Sequence, residues 1–432
     1  MAHRRDGATG GGVGAVKEAV HGSPKAELGA TNPLVRPPWL LLGLLIAITA
    51  VGPLSLNIVT PALPSIASAL HTDFETVALL LSLYLIAIGV AQPAIGALSD
   101  RFGRRPVLIV GFVVTALTSF AAMFATSVWA LIAVRTIQAF GASTGIVMSR
   151  AIIRDLYERE QAASMIGYVT MAIMVVPMIV PWFGGILAAA FGWEAIFACM
   201  GIMAVLVLAW IAYALPETLA ARSSTGGFVR FVEELRALCT SRSFIGYVLC
   251  CAAGSALFFG FLGGAPHIVV TQMGRGSVEL GLWFATGALG YMFGNYCSAR
   301  WSQRYGVDRL IMWGSYVGLL GGIMVVTLTL AVPHWGPITI FLPQFITAFG
   351  NGLLLPNSIA GAISVRPQAA GTASGITGFT QMAVGAAAAQ LVSNLVTPAQ
   401  TALPMALVIL SFAVLCLTLY VTLVRRAPSR SA

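Results

Sequence analysis

The sequence predicts an all-α protein that crosses a lipid bilayer many times, and three observations lead to that fold class. Of the 432 residues, 58% are hydrophobic and 9% are charged, whereas a soluble globular protein carries about 25% charged residues. The mean hydropathy is +0.88, a value typical of polytopic membrane proteins. Finally, the apolar residues form long runs that short polar segments separate, which is the pattern of successive membrane spans.

Twelve apolar runs are each long enough to cross a hydrocarbon core about 30 Å thick. They lie near residues 39–63, 76–99, 106–125, 127–150, 161–190, 193–215, 243–270, 277–299, 309–332, 335–364, 369–397 and 402–424. We predict two pseudo-symmetric six-helix bundles, at 39–215 and 243–424. The polar stretch between them, 216–242, predicts a cytoplasmic linker with a short amphipathic helix, FVRFVEELRAL.

The distribution of charge predicts which side of the membrane each loop occupies. The formal net charge is +9, and all the Lys and Arg residues except Arg135 and Arg275 fall in tails and loops on one predicted side. This asymmetry predicts that both termini, at 1–38 and 425–432, are cytoplasmic tails, the first of them disordered. It also argues against nucleic-acid binding, because the charge follows the membrane.

Reactive groups are not clustered in the sequence. The six cysteines show no ligand spacing, so we expect neither a disulfide framework nor a metal site. There is no G-x-S-x-G sequence and no Walker loop. The sequence therefore predicts no enzyme activity, no cofactor and no ATP-driven transport.

The segment GALSDRFGRRPVL, 96–108, joins the second and third runs. Because charges are costly in a bilayer, it must form a tight turn that faces water. Gly96 and Gly103 permit close helix packing and a sharp turn. Asp100 is placed to bond an arginine or a helix N-terminus. Three arginines mark the cytoplasmic side: Arg101, Arg104 and Arg105.

The fourth run, LIAVRTIQAFGAS, holds the one ionisable residue that we place deep in a span, Arg135. A central arginine costs at least about 2.5 kcal/mol on insertion scales, so it should face a polar cavity or a partner. Gln138 lies on the same helix face, and Asn57 of the first run could accept a hydrogen bond from Arg135. The alternative is that Arg135 reaches the surface or braces neighbouring helices.

The fifth run, VVPMIVPWFGG, combines helix-bending and small residues. Pro177 and Pro181 free backbone carbonyls and bend the helix, while Gly184 and Gly185 permit close packing. The alternative is a generic kinked packing helix.

The two halves of the chain contain short matching segments. Asp100-Arg101-Phe102-Gly103 is echoed by Gln303-Arg304-Tyr305-Gly306, and RPQAA at 366–370 echoes REQAA at 159–163. Such repeats predict a substrate site between the halves, near the middle of the membrane. Further polar and aromatic residues are predicted to line that cavity: Tyr84, Gln92, Phe258, Phe261, His267, Asn351, Asn357, Phe379 and Gln381.

These motifs together resemble those of the major facilitator superfamily of secondary transporters. Segment 96–108 is similar to its loop signature, and the fourth run is similar to L-x-x-x-R-x-x-Q-G, with Ala139 in place of the glycine. The fifth run resembles the antiporter motif G-P-x-x-G-G, with Val180 in place of the first glycine. Four segments resemble the Bcr/CflA branch of 12-helix drug:proton antiporters: LNIVTPALPSIASAL (56–70), SRAIIRDLYERE (149–160), LPETL (215–219) and RPQAAGTASG (366–375).

The resemblance implies a monomeric transporter of the bacterial inner membrane that exports small amphipathic compounds, including antibiotics, in exchange for protons. It further implies that Asp100 and the arginines of its loop latch the cytoplasmic side during alternating access. The alternatives are a dedicated exporter of an endogenous metabolite such as a siderophore, an uncoupled facilitator, and a membrane sensor that uses the linker.

The chain departs from this branch in the first run. The branch has an aspartate in the pattern T-D-M-Y-L-P-A-L-P, and here Asn57 occupies the acidic position. An amide cannot titrate, and the predicted spans hold no deep Asp or Glu. His267 could carry the proton, an outer-face acid such as Asp73, Glu75, Glu194 or Glu279 could enter the cavity, or Arg135 could bind an anionic or zwitterionic substrate.

Overall fold

A computed structural model describes residues 38–157, 176–219, 235–366 and 369–425, and single positions between 158 and 175. Every regular element in these parts of the chain is helical. Several predicted features lie outside the described residues: the tail before Pro38, the echo at 159–163, the linker over 220–234 and the tail after Arg425.

The described part of the first half, 38–157 and 176–219, contains seven helices with defined bounds. They are α1 (Pro38–Val59), α2 (Leu63–Ala69), α3 (Phe74–Phe102), α4 (Arg104–Ala122), α5 (Val128–Leu156), α6 (Val176–Phe191) and α7 (Glu194–Ala214). The first predicted run is broken, because a 3₁₀ turn at Thr60–Ala62 separates α1 from α2. Pro61 and Pro64 explain the break, since proline lacks the amide that would continue the helix.

In the second half, six helices with defined bounds follow residue 241 within the described ranges. They are α8 (Arg242–Pro266, continued by a π-helical turn at His267–Gln272), α9 (Ser277–Tyr305), α10 (Val307–Ala331), α11 (Ile338–Ser364), α12 (Ala370–Val396) and α13 (Leu403–Leu419, continued by a π-helical turn at Tyr420–Val424).

Nine membrane-spanning candidates in the described part of the chain are long and apolar enough to cross a bilayer, and the first of them contains both α1 and α2. Three helices fall outside this group. α9 and α12 have 29 and 27 residues but contain more glycine and polar residues, and α6 is described over 16 residues. With these three included, the helices follow the order of the twelve predicted runs.

The two halves repeat one packing scheme. α1 packs against α5 and α6, as α8 packs against α11 and α12. α4 packs against α5 and α7, as α10 packs against α11 and α13, and the pair α3–α5 corresponds to α9–α11. The two halves meet mainly where α3 packs on α12 and where α6 packs on α9. The Thr60–Ala62 turn also contacts α8 and α9, and α2 contacts the His267–Gln272 turn. We call this whole boundary between the halves the seam.

Local chemistry fixes where several helices begin and turn. Asp73 accepts hydrogen bonds from the Thr76 amide at 2.7 Å and the Thr76 hydroxyl at 2.8 Å, which caps α3. Gly103 and Gly306 join α3 to α4 and α9 to α10 with φ of +105° and +81°, a conformation that favours glycine. We call the face with these two turns the arginine-rich face, and the face where α3 and α9 begin the opposite face.

Candidate functional site

Arg135 of α5 lies at the centre of a buried polar cluster inside the first half. Its side chain is 1% exposed. Nη1 donates to Gln138 Oε1 at 2.6 Å and to Ser55 Oγ at 2.7 Å, and Nη2 donates to the Ser55 carbonyl at 3.1 Å. Gln138 Nε2 in turn donates to Ser119 Oγ at 2.6 Å. The cluster therefore connects α1, α4 and α5. This arrangement agrees with the alternative that Arg135 braces neighbouring helices.

Aromatic rings cover the faces of the guanidinium. Its Cζ lies 4.2 Å from the centroid of the Tyr84 ring and 6.0 Å from that of Phe197, within the range of a cation–π contact. The partners of Arg135 in the described structure are thus neutral, and its buried Nε has no hydrogen-bond partner there. A full positive charge is held in the bundle by hydroxyl, amide and ring groups.

Asn57 does not accept a hydrogen bond from Arg135, so that expectation is wrong. Its Nδ2 donates to the Pro53 carbonyl, at 2.7 Å, within α1. This bond lies within one helical turn, since an Asn side chain can bond the carbonyl of the residue four positions earlier. Ser55, two residues earlier, takes the place beside Arg135 that the sequence assigned to Asn57.

The seam holds some of the predicted cavity residues. Gly89 of α3 faces Phe379 and Met382 of α12 so closely that an added Cβ would lie 3.3 Å from an atom of each. Further toward the arginine-rich face, Gln92 Oε1 approaches Gly378. Phe258 and Gln381 are half-buried, and Phe258 packs against the cluster of buried residues that spans both halves.

Other predicted cavity residues pack within the second half instead. Asn357 donates to Ser298 Oγ at 2.7 Å and to the Leu353 carbonyl at 2.7 Å. Asn351 borders a small internal cavity between α8, α10, α11 and α13. Phe261 is buried against Phe284 and Phe341. An unpaired amide would be costly in hydrocarbon. Asn357 avoids this cost by bonding a neighbouring helix of its own bundle and its own helix.

The seam is joined by polar and aromatic contacts near the opposite face. Gln390 of α12 accepts a hydrogen bond from Ser82 Oγ at 3.0 Å and donates to the Glu75 carbonyl at 3.0 Å, both on α3. His267 stacks at a tilt on Phe74, with ring centroids 4.9 Å apart. Sequence reasoning missed Gln390, since a lone glutamine in an alanine-rich helix carries no motif.

The glycines of α6 are held between the two halves. A Cβ on Gly184 would collide with the Ile58 carbonyl of α1, and one on Gly185 would lie 2.6 Å from the Ser277 carbonyl of α9. Pro181 lies within α6, and its carbonyl meets Gly281 of α9. Pro177 lies in the first turn of the described helix. Both glycines therefore lie directly against the backbone of a neighbouring helix.

At the arginine-rich face, the α3–α4 turn is bound by two acids that the sequence did not assign to it. Glu217 accepts hydrogen bonds from the amides of Arg104 at 2.9 Å and Arg105 at 3.2 Å. Asp155 at the end of α5 pairs with Arg104 Nε at 3.0 Å. Both acids lie in segments that carried the family resemblance, LPETL and SRAIIRDLYERE, and that was the available signal.

The other predicted residues of segment 96–108 have the following contacts. Arg105 Nη2 donates to the Ala212 carbonyl at 2.8 Å, and the Arg101 guanidinium lies 5.3 Å from the Phe102 ring centroid. A Cβ added to Gly96 would have no atom of the described structure within 4 Å. Asp100 belongs to α3, and its side chain lies outside the described structure. No group of three or more His, Cys, Asp or Glu in the described ranges could hold a metal ion.

Comparison with known proteins identifies the family. The model of the Major Facilitator Superfamily matches residues 40–390. The chain belongs to this superfamily. It is 30% identical over 346 residues to Multidrug resistance protein D of Escherichia coli (strain K12). The alignment covers 79% of this chain and 85% of that protein. It is also 30% identical over 320 residues to the Chloramphenicol resistance protein of Pseudomonas aeruginosa, covering 73% of each chain.

Solved structures of other superfamily transporters share the fold. A peptide transporter POT in complex with sulfate aligns with a TM-score of 0.76 at 13% identity, covering 94% of this chain and 98% of that chain. A bacterial homologue of the human lysosomal transporter Spinster, inward-facing and unoccupied, aligns with a TM-score of 0.71 at 16% identity, covering 90% and 98%. The predicted twelve-helix fold of two six-helix bundles is confirmed.

Proposed function

We propose that this chain is a monomeric secondary transporter of a bacterial inner membrane that exports small amphipathic compounds by alternating access. The observation that carries the proposal is the seam. Two bundles with the same internal packing meet along α3–α12 and α6–α9, and the bonds of Gln390 join them near the opposite face. Rocking of one bundle against the other would expose groups at the seam to each side in turn.

The chemistry of the seam supports an amphipathic substrate. Phe379 and Met382 supply apolar surface and Gln92 supplies a polar group where α3 meets α12, and Phe258 and Gln381 are half-buried. Sites that bind drug-sized compounds have this mixture of apolar walls and sparse polar groups. The relatives named for multidrug and chloramphenicol resistance support the same class of compound. We assign the arginine-rich face and both termini to the cytoplasm, because basic loops stay on that side.

The test of export is counterflow of radiolabelled chloramphenicol into liposomes that contain the purified protein. We expect saturable exchange, and we expect Gly185→Ala to slow it at least tenfold because the new Cβ meets the Ser277 carbonyl. Gly276→Ala is the matched control, since nothing lies within 4 Å of its added Cβ. Gel filtration verifies that both variants fold. Absence of exchange by the folded parent protein would refute drug export.

We further propose that export is coupled to proton entry, with His267 as the titrating group. No Asp or Glu is among the buried side chains of the described residues, whereas His267 is 9% exposed and touches Phe74 of the other half. Opening of the opposite face would expose the imidazole to external protons. An imposed pH gradient should accelerate counterflow in the parent protein and have no effect in His267→Gln.

The second candidate is an uncoupled facilitator, which the amide of Asn57 favours because it cannot titrate. In that case the pH gradient has no effect on the parent protein. Asn57→Asp would then be the variant in which the gradient begins to drive exchange. These two outcomes separate the candidates without requiring knowledge of the native substrate.

A further inference from the structure

We propose that the buried charge of Arg135 sets the substrate class: the transporter accepts neutral and anionic amphipathic compounds and discriminates against cations. This inference rests on the proposed function, since it concerns the charge of what enters the seam. It depends on where Arg135 lies, on what surrounds it and on how far its field extends.

The first step is that the charge of Arg135 is not neutralised locally. Its hydrogen-bond partners are Ser55 and Gln138, and the rings near it belong to Tyr84 and Phe197. None of the buried side chains in the described structure is an Asp or Glu. Neutral dipoles and rings stabilise a cation, but they leave its net charge in place.

The second step is that this charge is close to the seam. Tyr84 lies under the guanidinium on the same helix as Ser82 and Gly89, both of which contact α12. Packed helices are about 8–10 Å apart, and five residues of helix rise about 7.5 Å. These spacings put Arg135 on the order of 10–20 Å from the side chains that face Gly89.

The third step is the size of the effect. Between two unit charges about 12 Å apart, at an effective dielectric constant of about 20, the Coulomb energy corresponds to roughly a tenfold change in affinity. Salt screens this interaction weakly because the intervening groups are buried protein.

Three naphthalene derivatives of equal size test the inference, one bearing a sulfonate, one a carboxamide and one a trimethylammonium group. Binding to the purified protein in neutral detergent is measured by fluorescence, and transport is measured in liposomes. We expect the trimethylammonium compound to bind at least about tenfold more weakly than the carboxamide, and the sulfonate compound to bind at least as tightly as the carboxamide.

Gln138→Glu is the decisive variant, because Gln138 Oε1 already accepts from Arg135 at 2.6 Å. The new carboxylate forms an ion pair there and cancels the charge without a change of shape. We expect the difference between the cationic and neutral compounds to fall to about twofold. Arg135→Lys keeps the charge and should keep the discrimination.

Arg275→Gln is the matched control, since it makes the same change in net charge at a side chain that is 51% exposed. Water and salt screen that position, so the preference should not change. Equal affinity of the parent protein for the cationic and neutral compounds would overturn the inference, as would an equal effect of Gln138→Glu and Arg275→Gln. Charge-dependent binding without any transport would instead refute the proposed export and leave this inference standing.

Discussion

The α3–α4 unit of the first half and the α9–α10 unit of the second half have the same packing but different chemistry. α3 begins at the Asp73 cap, whereas α9 begins at Gly276, where no side chain caps the helix. The α3–α4 turn is bound by Glu217 and Asp155. The α9–α10 turn instead borders a cavity of about 560 Å³.

The difference shows that repeated packing does not require repeated polar contacts. In the second half, the nearest polar contact at the turn is the hydrogen bond from Tyr247 to Asp308, at 2.7 Å. It joins the half-buried Tyr247 to the exposed Asp308, whereas Arg104 in the first half is 4% exposed. We infer that the first unit is the more rigid of the two, because buried charge-assisted bonds are the stronger ones.

The largest expected effect in this comparison comes from Arg104→Gln. The change removes the ion pair with Asp155 and leaves that carboxylate, whose side chain is 17% exposed, without its cation. We expect a loss of about 2 kcal/mol in stability. Arg309→Gln in the second unit, at an exposed position, should change stability by less than about 0.5 kcal/mol. Unfolding in detergent measures the loss of stability in both variants. Equal losses would contradict the inference that the first unit is held by the stronger contacts.

A smaller effect is expected from Glu217→Ala. The carboxylate caps the first amides of α4, so its removal should cost about 1 kcal/mol. Asp308→Ala, in the first turn of α10, should cost less, because the only described bond it loses is with Tyr247. Hydrogen exchange at the start of each helix reports the difference directly. Faster exchange in α10 than in α4 for these two variants would contradict it.

The smallest effect concerns the opposite ends of the two units. The hydrogen bond from the Thr76 amide lowers the pKa of the Asp73 carboxyl below its ordinary value of 3.8. The stabilisation is therefore present at neutral pH and is lost as the pH falls through the lowered pKa. Asp73→Ala should cost about 0.5 kcal/mol at pH 7 and less at pH 2.

Gly276→Asp should supply the missing cap in the second unit, because Gly276 has an extended backbone that suits a capping residue, with φ of −73° and ψ of 153°. We expect a gain of a few tenths of a kcal/mol at pH 7. Thermal unfolding of both variants at the two pH values is the measurement. A loss of stability in Gly276→Asp would show that the two helix starts are not equivalent.

Much of the fold could be predicted from the sequence, because a bilayer imposes span length and confines charge. The twelve runs and the glycine turn at Gly103 follow from those constraints. The break at Thr60–Ala62 could have been inferred from Pro61 and Pro64, but the long apolar run concealed it.

The site was less predictable, because side-chain partners depend on which faces of packed helices meet. Arg135 and Gln138 could be placed together from their spacing, whereas the choice of Ser55 over Asn57 depends on the rotation of α1. Asn351 and Asn357 face other helices of their own bundle, an outcome that depends on the rotation of α11. The contact of Gln390 with Ser82 could not be predicted without knowing how α3 and α12 cross.

The contact of Gly185 with the Ser277 carbonyl has a consequence for how the protein could move. Because backbone touches backbone there, no side chain can adjust to absorb a displacement of α6 against α9. Relative rotation about this point keeps the two backbones in register, whereas separation would expose polar carbonyls to lipid. The contact lies at the first residue of α9, so it would serve as a fulcrum near the opposite face, and the length of α9 beyond it would set how widely the arginine-rich face opens.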